Sequence, residues 1–195
     1  MRVILVSTDR DENSPAAEML GSMKTVFDAD GIKAEVRLPG AGGIHACTGC
    51  GKCRKAGRCF FEDGGINEII SEADLIDGFV FAGTSFFGAP DRQLCGFMDR
   101  LFRCAPGKFD GKPSVLIIGR RNREQSVRAE RVTVHLAEAG MPYVSVFPYI
   151  NKDGDIQEQK DTAEMLIRMM RQDDEERRQG TCRLNAGQSS NFFSR

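Results

Sequence analysis

Two runs in this chain, Phe79–Gly83 (FVFAG) and Val115–Gly119 (VLIIG), carry no polar side chain. A strand of that kind needs apolar cover on both faces, which a parallel sheet sandwiched between helices supplies. The rest of the chain repeats the theme, with short apolar runs alternating with amphipathic ones. Strands are expected at Val3–Ser7, Lys33–Leu38, Ile76–Ala82, Ser114–Ile118 and Tyr143–Phe147. Helices are expected at about Ser14–Asp28, Gly65–Ala73, Arg92–Cys104, Gln125–Ala139 and Lys160–Arg171. Five strands alternating with five helices specify a doubly wound α/β fold. Ligands of such sheets bind at the carboxyl ends of the strands, near the point where strand order reverses. The loops after the first, third and fourth strands are therefore where chemistry is expected.

Composition fits one soluble domain with an adequate core: 195 residues, 41% hydrophobic, 28% charged and a formal net charge of −1. That charge gives no reason to expect nucleic acid. An apolar strand begins at Arg2, so no leader is expected, and no run reaches the length of a membrane span. The domain is read as residues 1–179, with 180–195 as a polar tail carrying Phe192 and Phe193, suited to disorder or to contact with a neighbouring subunit.

Between the second and third strands lies CTGCGKCRKAGRC, four cysteines in thirteen residues at Cys47, Cys50, Cys53 and Cys59. The spacing lets one wrapped loop, 45–60, aim four sulfurs at a common centre, as in a cubane [4Fe-4S] cluster. Gly49, Gly51 and Gly57 make the wrap sterically cheap. Lys52, Arg54, Lys55 and Arg58 put positive charge beside the thiols and favour the thiolate that ligates metal. Structural zinc, disulfides and a loop of reduced thiols are the alternatives. Zinc sites normally pair two CxxC knuckles across a longer run, and an odd total of seven cysteines suits disulfides badly. Unpaired thiols point to the reducing cytoplasm. His45 is a possible extra ligand or a solvated turn residue.

The first carboxyl-end loop, STDRDENS at 7–14, resembles a phosphate cradle. Ser7, Thr8 and Ser14 offer hydroxyls, Asn13 an amide and Arg10 a charge partner, and the following helix offers free N–H groups. It lacks the glycine-rich turn of dinucleotide or Walker loops. Asn13 or Ser14 also reads as a helix cap ahead of Pro15. Asp9, Asp11 and Glu12 would repel a phosphate and are expected in solvent.

The loop after the third strand, GTSFFGAPDRQLCGFMDR at 83–100, is similar to the PxYxG segment and following L…FxDR helix of the flavodoxin-like NADPH-dependent FMN reductases. The cysteine loop resembles the compact motif of the iron–sulfur flavoproteins in that group, and GRRNREQ at 119–125 resembles the family's third flavin loop, GxRNGGQ. The resemblance runs from about residue 3 to 147. It implies a five-stranded parallel sheet of order 2-1-3-4-5 with FMN at its carboxyl edge. Ser7, Thr8, Arg10, Asn13 and Ser14 would then hold the phosphate, and Thr84, Ser85, Phe86, Phe87 and Gly88 would flank the isoalloxazine ring. Gly119, Arg121 and Asn122 would close its other edge, and Cys47, Cys50, Cys53 and Cys59 would carry the [4Fe-4S] cluster. The implied activity is electron exchange between cluster and FMN, with no side chain acting as acid or base. The alternatives are a cluster-free NAD(P)H-dependent FMN or quinone reductase and a non-catalytic module holding zinc. A homo-oligomer, dimer or tetramer, and a redox partner such as a ferredoxin or NAD(P)H are implied as well.

The sequence departs from the family pattern at three places. The first loop reads STDR where GSxR is usual, Thr84 and Phe86 replace proline and tyrosine, and Arg123 and Glu124 stand where two glycines would admit the flavin. Outside these loops, Asp99 and Arg100 read as a helix-packing ion pair, and Cys95 and Cys104 as small buried hydrophobes. Met165, Met169 and Met170 read as core filling. His135 has no evident partner, and DDEERR at 173–178 reads as a solvated helix end.

Overall fold

A computed structural model of the chain describes residues 1–120, 127–146 and 156–178. Arg121, Asn122, Arg123, Glu124, the first residues of the expected fourth helix, Phe147 and the tail 180–195 lie outside the described residues.

The strands are β1 (Arg2–Ser7), β2 (Lys33–Arg37), β3 (Gly78–Phe86), β4 (Ala89–Pro90), β5 (Ser114–Gly119) and β6 (Tyr143–Val146). The helices are α1 (Pro15–Ala29), α2 (Cys53–Ala56), α3 (Ile66–Glu72), α4 (Arg92–Cys104), α5 (Glu130–Glu138) and α6 (Ile156–Arg178). The five long strands are parallel and ordered β2-β1-β3-β5-β6. Counting the long strands alone, that is the expected 2-1-3-4-5.

Alternation along each strand sends successive side chains to opposite faces. Ile4, Val6, Phe79, Phe81, Leu116 and Ile118 pack with α3, α4 and α5 on one face. Val3, Leu5, Val80, Ala82, Val115 and Ile117 pack with α1 and α6 on the other. Each such fully buried Val, Leu, Ile or Phe side chain contributes about 1.5–3 kcal/mol. Met170 is buried in the second layer with Met165 against it, as core filling requires.

Helix α1 starts where local chemistry demands it. Ser14 Oγ accepts the Ala17 N–H at 3.2 Å and Pro15 takes the first helical position. Helix α6 runs on through the charged 173–178 segment, because Arg177–Asp173 (2.7 Å) and Arg178–Asp174 (2.8 Å) pair one turn apart.

Two boundaries differ from the sequence reading in ways that matter for the site. β3 does not stop at Ala82. It stays in register with β5 through Thr84↔Gly119 and then folds back on β4 through Phe86↔Ala89, so Thr84, Ser85 and Phe86 are strand residues. Helix α5 begins at Glu130 because the segment before it is used elsewhere: Arg128 N–H donates to the Gly88 carbonyl at 2.7 Å.

Candidate functional site

β1, β3 and β5 end side by side, which brings the loops after Ser7, Phe86 and Gly119 to one edge of the sheet. Thr8, fully buried, prolongs the ladder by one step, its N–H donating to the Ala82 carbonyl at 3.0 Å. Its own carbonyl accepts Gln93 Nε2 at 3.2 Å, and Gln93 Oε1 accepts the Ile44 N–H at 2.9 Å. Gln93 thus joins the first loop to the run entering the cysteine loop. Sequence reasoning missed it, since nothing marks a glutamine in a helix's first turn as a bridge.

Asp9 is turned inward, contrary to the expectation that it faces solvent. Its Oδ1 accepts the Thr84 N–H at 3.1 Å, and Thr84 Oγ1 lies 2.9 Å from both carboxylate oxygens. Burial pushes the Asp9 carboxyl above its ordinary value; Thr84 and Ser14 pull against that, and the nearby Asp91 charge adds to the rise. The loop after β2 closes over the same point. A Cβ on Gly40 would lie 2.2 Å from the carbonyl oxygens of both Thr8 and Asp9, so a side chain there is sterically excluded. Of the other residues proposed for phosphate, Ser7 and Ser14 are buried, whereas Arg10 and Asn13 are exposed.

The Phe86↔Ala89 pair leaves a two-residue turn, Phe87 (φ 50°) and Gly88 (φ 78°). Both signs are positive, as in a type I′ hairpin, a conformation that suits Gly88 and strains a bulky aromatic. Phe87 is nonetheless 98% exposed, and its ring meets that of the 54% exposed Phe86 edge-on at 5.5 Å. Ser85 Oγ anchors the hairpin base by donating to the Gly119 carbonyl at 2.8 Å.

The cysteine loop lies against α4. Cys53 opens the short α2, which Gly57 closes in a left-handed conformation. Cys47 is half-buried and Cys50 exposed, whereas Cys59 is buried in the core beside Cys104. Arg100, 1% exposed, is the clamp. It donates from Nε to Cys59 Sγ at 3.2 Å, from its Nη atoms to the carbonyls of His45 (3.2 Å), Phe61 (2.9 Å) and Asp63 (3.3 Å), and to Asp63 Oδ2 at 2.6 Å. Burial pushes the Asp63 carboxyl up, but the His45 N–H and the Arg100 guanidinium outweigh it and hold it below its usual value. Arg100 therefore does not pair with Asp99. That carboxylate reaches His135 Nε2 at 3.0 Å, because neighbours in a helix point in different directions. His45 stacks on Phe61 at 5.0 Å and lies 3.4 Å from Asp63.

Cys104 is more than a small hydrophobe. It lies against the thiols of Cys53 and Cys59, and burial first, then those neighbours, push its own thiol well above the ordinary range. Burial likewise raises Cys95, whereas the Lys52 N–H lowers the exposed Cys50. Among the described residues no three His, Cys, Asp or Glu side chains are grouped so as to hold a metal ion. The four thiols of the motif have the right donor chemistry for an iron–sulfur cluster, but this arrangement does not draw them to one centre. For a flavin the two ends differ: the exposed hairpin offers aromatic rings and a fixed turn, while the first loop turns the Asp9 carboxylate inward onto Thr84.

No family model matches the chain. In sequence it is similar to the iron–sulfur flavoprotein of Methanocaldococcus jannaschii, 27% identical over 101 residues, 51% of this chain and 51% of that protein. The chain's match thus spans about half the length of this curated relative. Solved structures with the same architecture include a flavodoxin from the domain Archaea (TM-score 0.57, 12% identity, 88% of this chain and 99% of that one). The NAD(P)H:quinone oxidoreductase of Methanothermobacter marburgensis also superposes (TM-score 0.60, 14% identity, 89% and 97%). So does a flavone reductase (TM-score 0.62, 12% identity, 91% and 63%). The fold of this chain is therefore flavodoxin-like, and its sequence similarity runs to an iron–sulfur flavoprotein.

Proposed function

We propose that this chain is a flavin-dependent oxidoreductase that binds FMN or a related flavin at the carboxyl edge of its sheet. The observation that carries this reading is the Phe86–Phe87 hairpin, two exposed rings held on a strained turn beside the ends of β1 and β5. Exposed aromatics and stored backbone strain are otherwise costs with no return. A bound flavin would supply hydride and single-electron chemistry. The protein's part is to hold the ring plane against Phe86 and Phe87 and to keep Ser85 fixed through Gly119. No buried acid or base is needed for that.

The finer reading adds a [4Fe-4S] cluster at Cys47, Cys50, Cys53 and Cys59. The donor set and the similarity to an iron–sulfur flavoprotein support it. A second reading, a cluster-free NAD(P)H-dependent FMN or quinone reductase, is favoured by the absence, among the described residues, of a grouping of thiols able to hold a metal. We propose further a homo-oligomer, dimer or tetramer, a cytoplasmic location, and NAD(P)H or a ferredoxin as the redox partner. No described helix is long and apolar enough to cross a membrane.

The test is the visible spectrum of protein purified without oxygen, with iron, acid-labile sulfide, zinc and released flavin measured on the same sample. Flavin with iron and sulfide in near-equal amounts supports the cluster form, and flavin alone, with NADPH oxidation, supports the reductase. Colourless protein that takes up no flavin overturns both.

A further inference from the structure

Asp9 stands where the flavin reading requires a phosphate. Its carboxylate takes hydrogen bonds from the Thr84 N–H (3.1 Å) and from Thr84 Oγ1 (2.9 Å), close to Ser14, the residue that caps α1. The backbone beneath it is pinned by Gly40, and no other side chain of the loop brings compensating charge inward. Arg10 is exposed, Asp11 and Glu12 are exposed acids, and Asp91 at the start of α4 adds a further negative charge. We infer that Asp9 is a specificity-determining residue, an internal anion held inward in the β1–α1 loop by Thr84 of β3, which discriminates against the phosphorylated form of the flavin. The inference rests on the flavin reading of the site.

The physical basis is a competition. A phosphate ester entering the loop must either sit beside the Asp9 charge or displace it from its Thr84 bonds, and both are unfavourable. A flavin whose side chain ends in a hydroxyl meets neither obstacle, because a carboxylate accepts hydrogen bonds from hydroxyls. Wild-type protein should therefore bind FMN no more tightly than riboflavin. A residue that merely staples β1 to β3 would instead affect both flavins alike.

Titration of wild-type protein and of Asp9→Asn with FMN and with riboflavin, followed by flavin fluorescence, separates these outcomes. The amide keeps an acceptor for Thr84 and removes the charge. The expected result is FMN affinity raised about tenfold, with riboflavin affinity unchanged within about twofold. Asp9→Ala, which removes the carboxylate altogether, should move the ratio in the same direction. Equal shifts for both flavins, or wild-type protein that already prefers FMN strongly, overturn the inference and leave the flavin reading standing. No binding of either flavin by any of the three proteins overturns the flavin reading, and the inference with it.

Discussion

Arg100 Nε donates a hydrogen bond to Cys59 Sγ at 3.2 Å from a position that is 1% exposed. The same guanidinium satisfies Asp63 and three loop carbonyls, so one side chain of α4 holds the whole return of the cysteine loop. Arg100→Gln should lower stability by about 3–5 kcal/mol, the cost of leaving a buried partner unpaired. Urea unfolding of both proteins measures it. A loss under 1 kcal/mol would mean that the loop holds itself.

The thiols should react in a fixed order. Cys50 is exposed and its thiol is lowered by the Lys52 N–H, whereas Cys95 and Cys104 are buried and raised. Brief treatment of metal-free protein with iodoacetamide, read by peptide mass spectrometry, should label Cys50 first and Cys104 among the last. Early labelling of Cys104 in folded protein would contradict its placement against Cys53 and Cys59.

Glu35 is held down to about 2 by its hydrogen bonds from Arg37 and Arg2, and Glu72 is lowered by the same two arginines. A carboxylate with a depressed folded value stabilises the protein above its ordinary value near 4.5. That stabilisation is lost as pH falls from there toward 2. Asp9 has the opposite sign: its folded value is raised, so protonating it on the way down favours the native state. Because Glu35 is partly exposed, its share is on the order of 1 kcal/mol. Urea midpoints at pH 6 and pH 3 should fall less between the two for Glu35→Gln than for wild type; equal falls would remove the cluster's role.

Phe87 occupies the left-handed region at φ 50° beside Gly88. Phe87→Asn creates the Asn-Gly pair that type I′ turns prefer. It should stabilise the fold by about 1 kcal/mol, the strain of a bulky residue in that region. The same change should weaken flavin binding by removing an exposed ring. Thermal unfolding and flavin titration on one preparation check both. A variant that gains stability and binds flavin as well as wild type would remove Phe87 from the site.

The double-faced apolar strands and the helices between them were legible in the sequence, because periodicity reports burial directly. The α1 cap at Ser14 and Pro15 was legible too, since it is local. The extension of β3 to Phe86 was not, because nothing within 83–88 announces pairing with Gly119 and Ala89. The Asp99–Arg100 reading failed for a related reason. Adjacent helical residues face different neighbours, and only the positions of Asp63 and His135 show which neighbours those are.

The sequence by itself determined the layered α/β fold and the motif of four cysteines, because each depends on spacing along the chain; the strand order was implied by the family resemblance and is seen in the sheet itself. The tertiary structure decided the inward turn of Asp9, the Gln93 bridge, the Arg100 clamp and the thiol neighbourhood of Cys53, Cys59 and Cys104. In each, residues far apart in sequence meet where the sheet edge and α4 bring them together, and such contacts depend on geometry that no local pattern encodes.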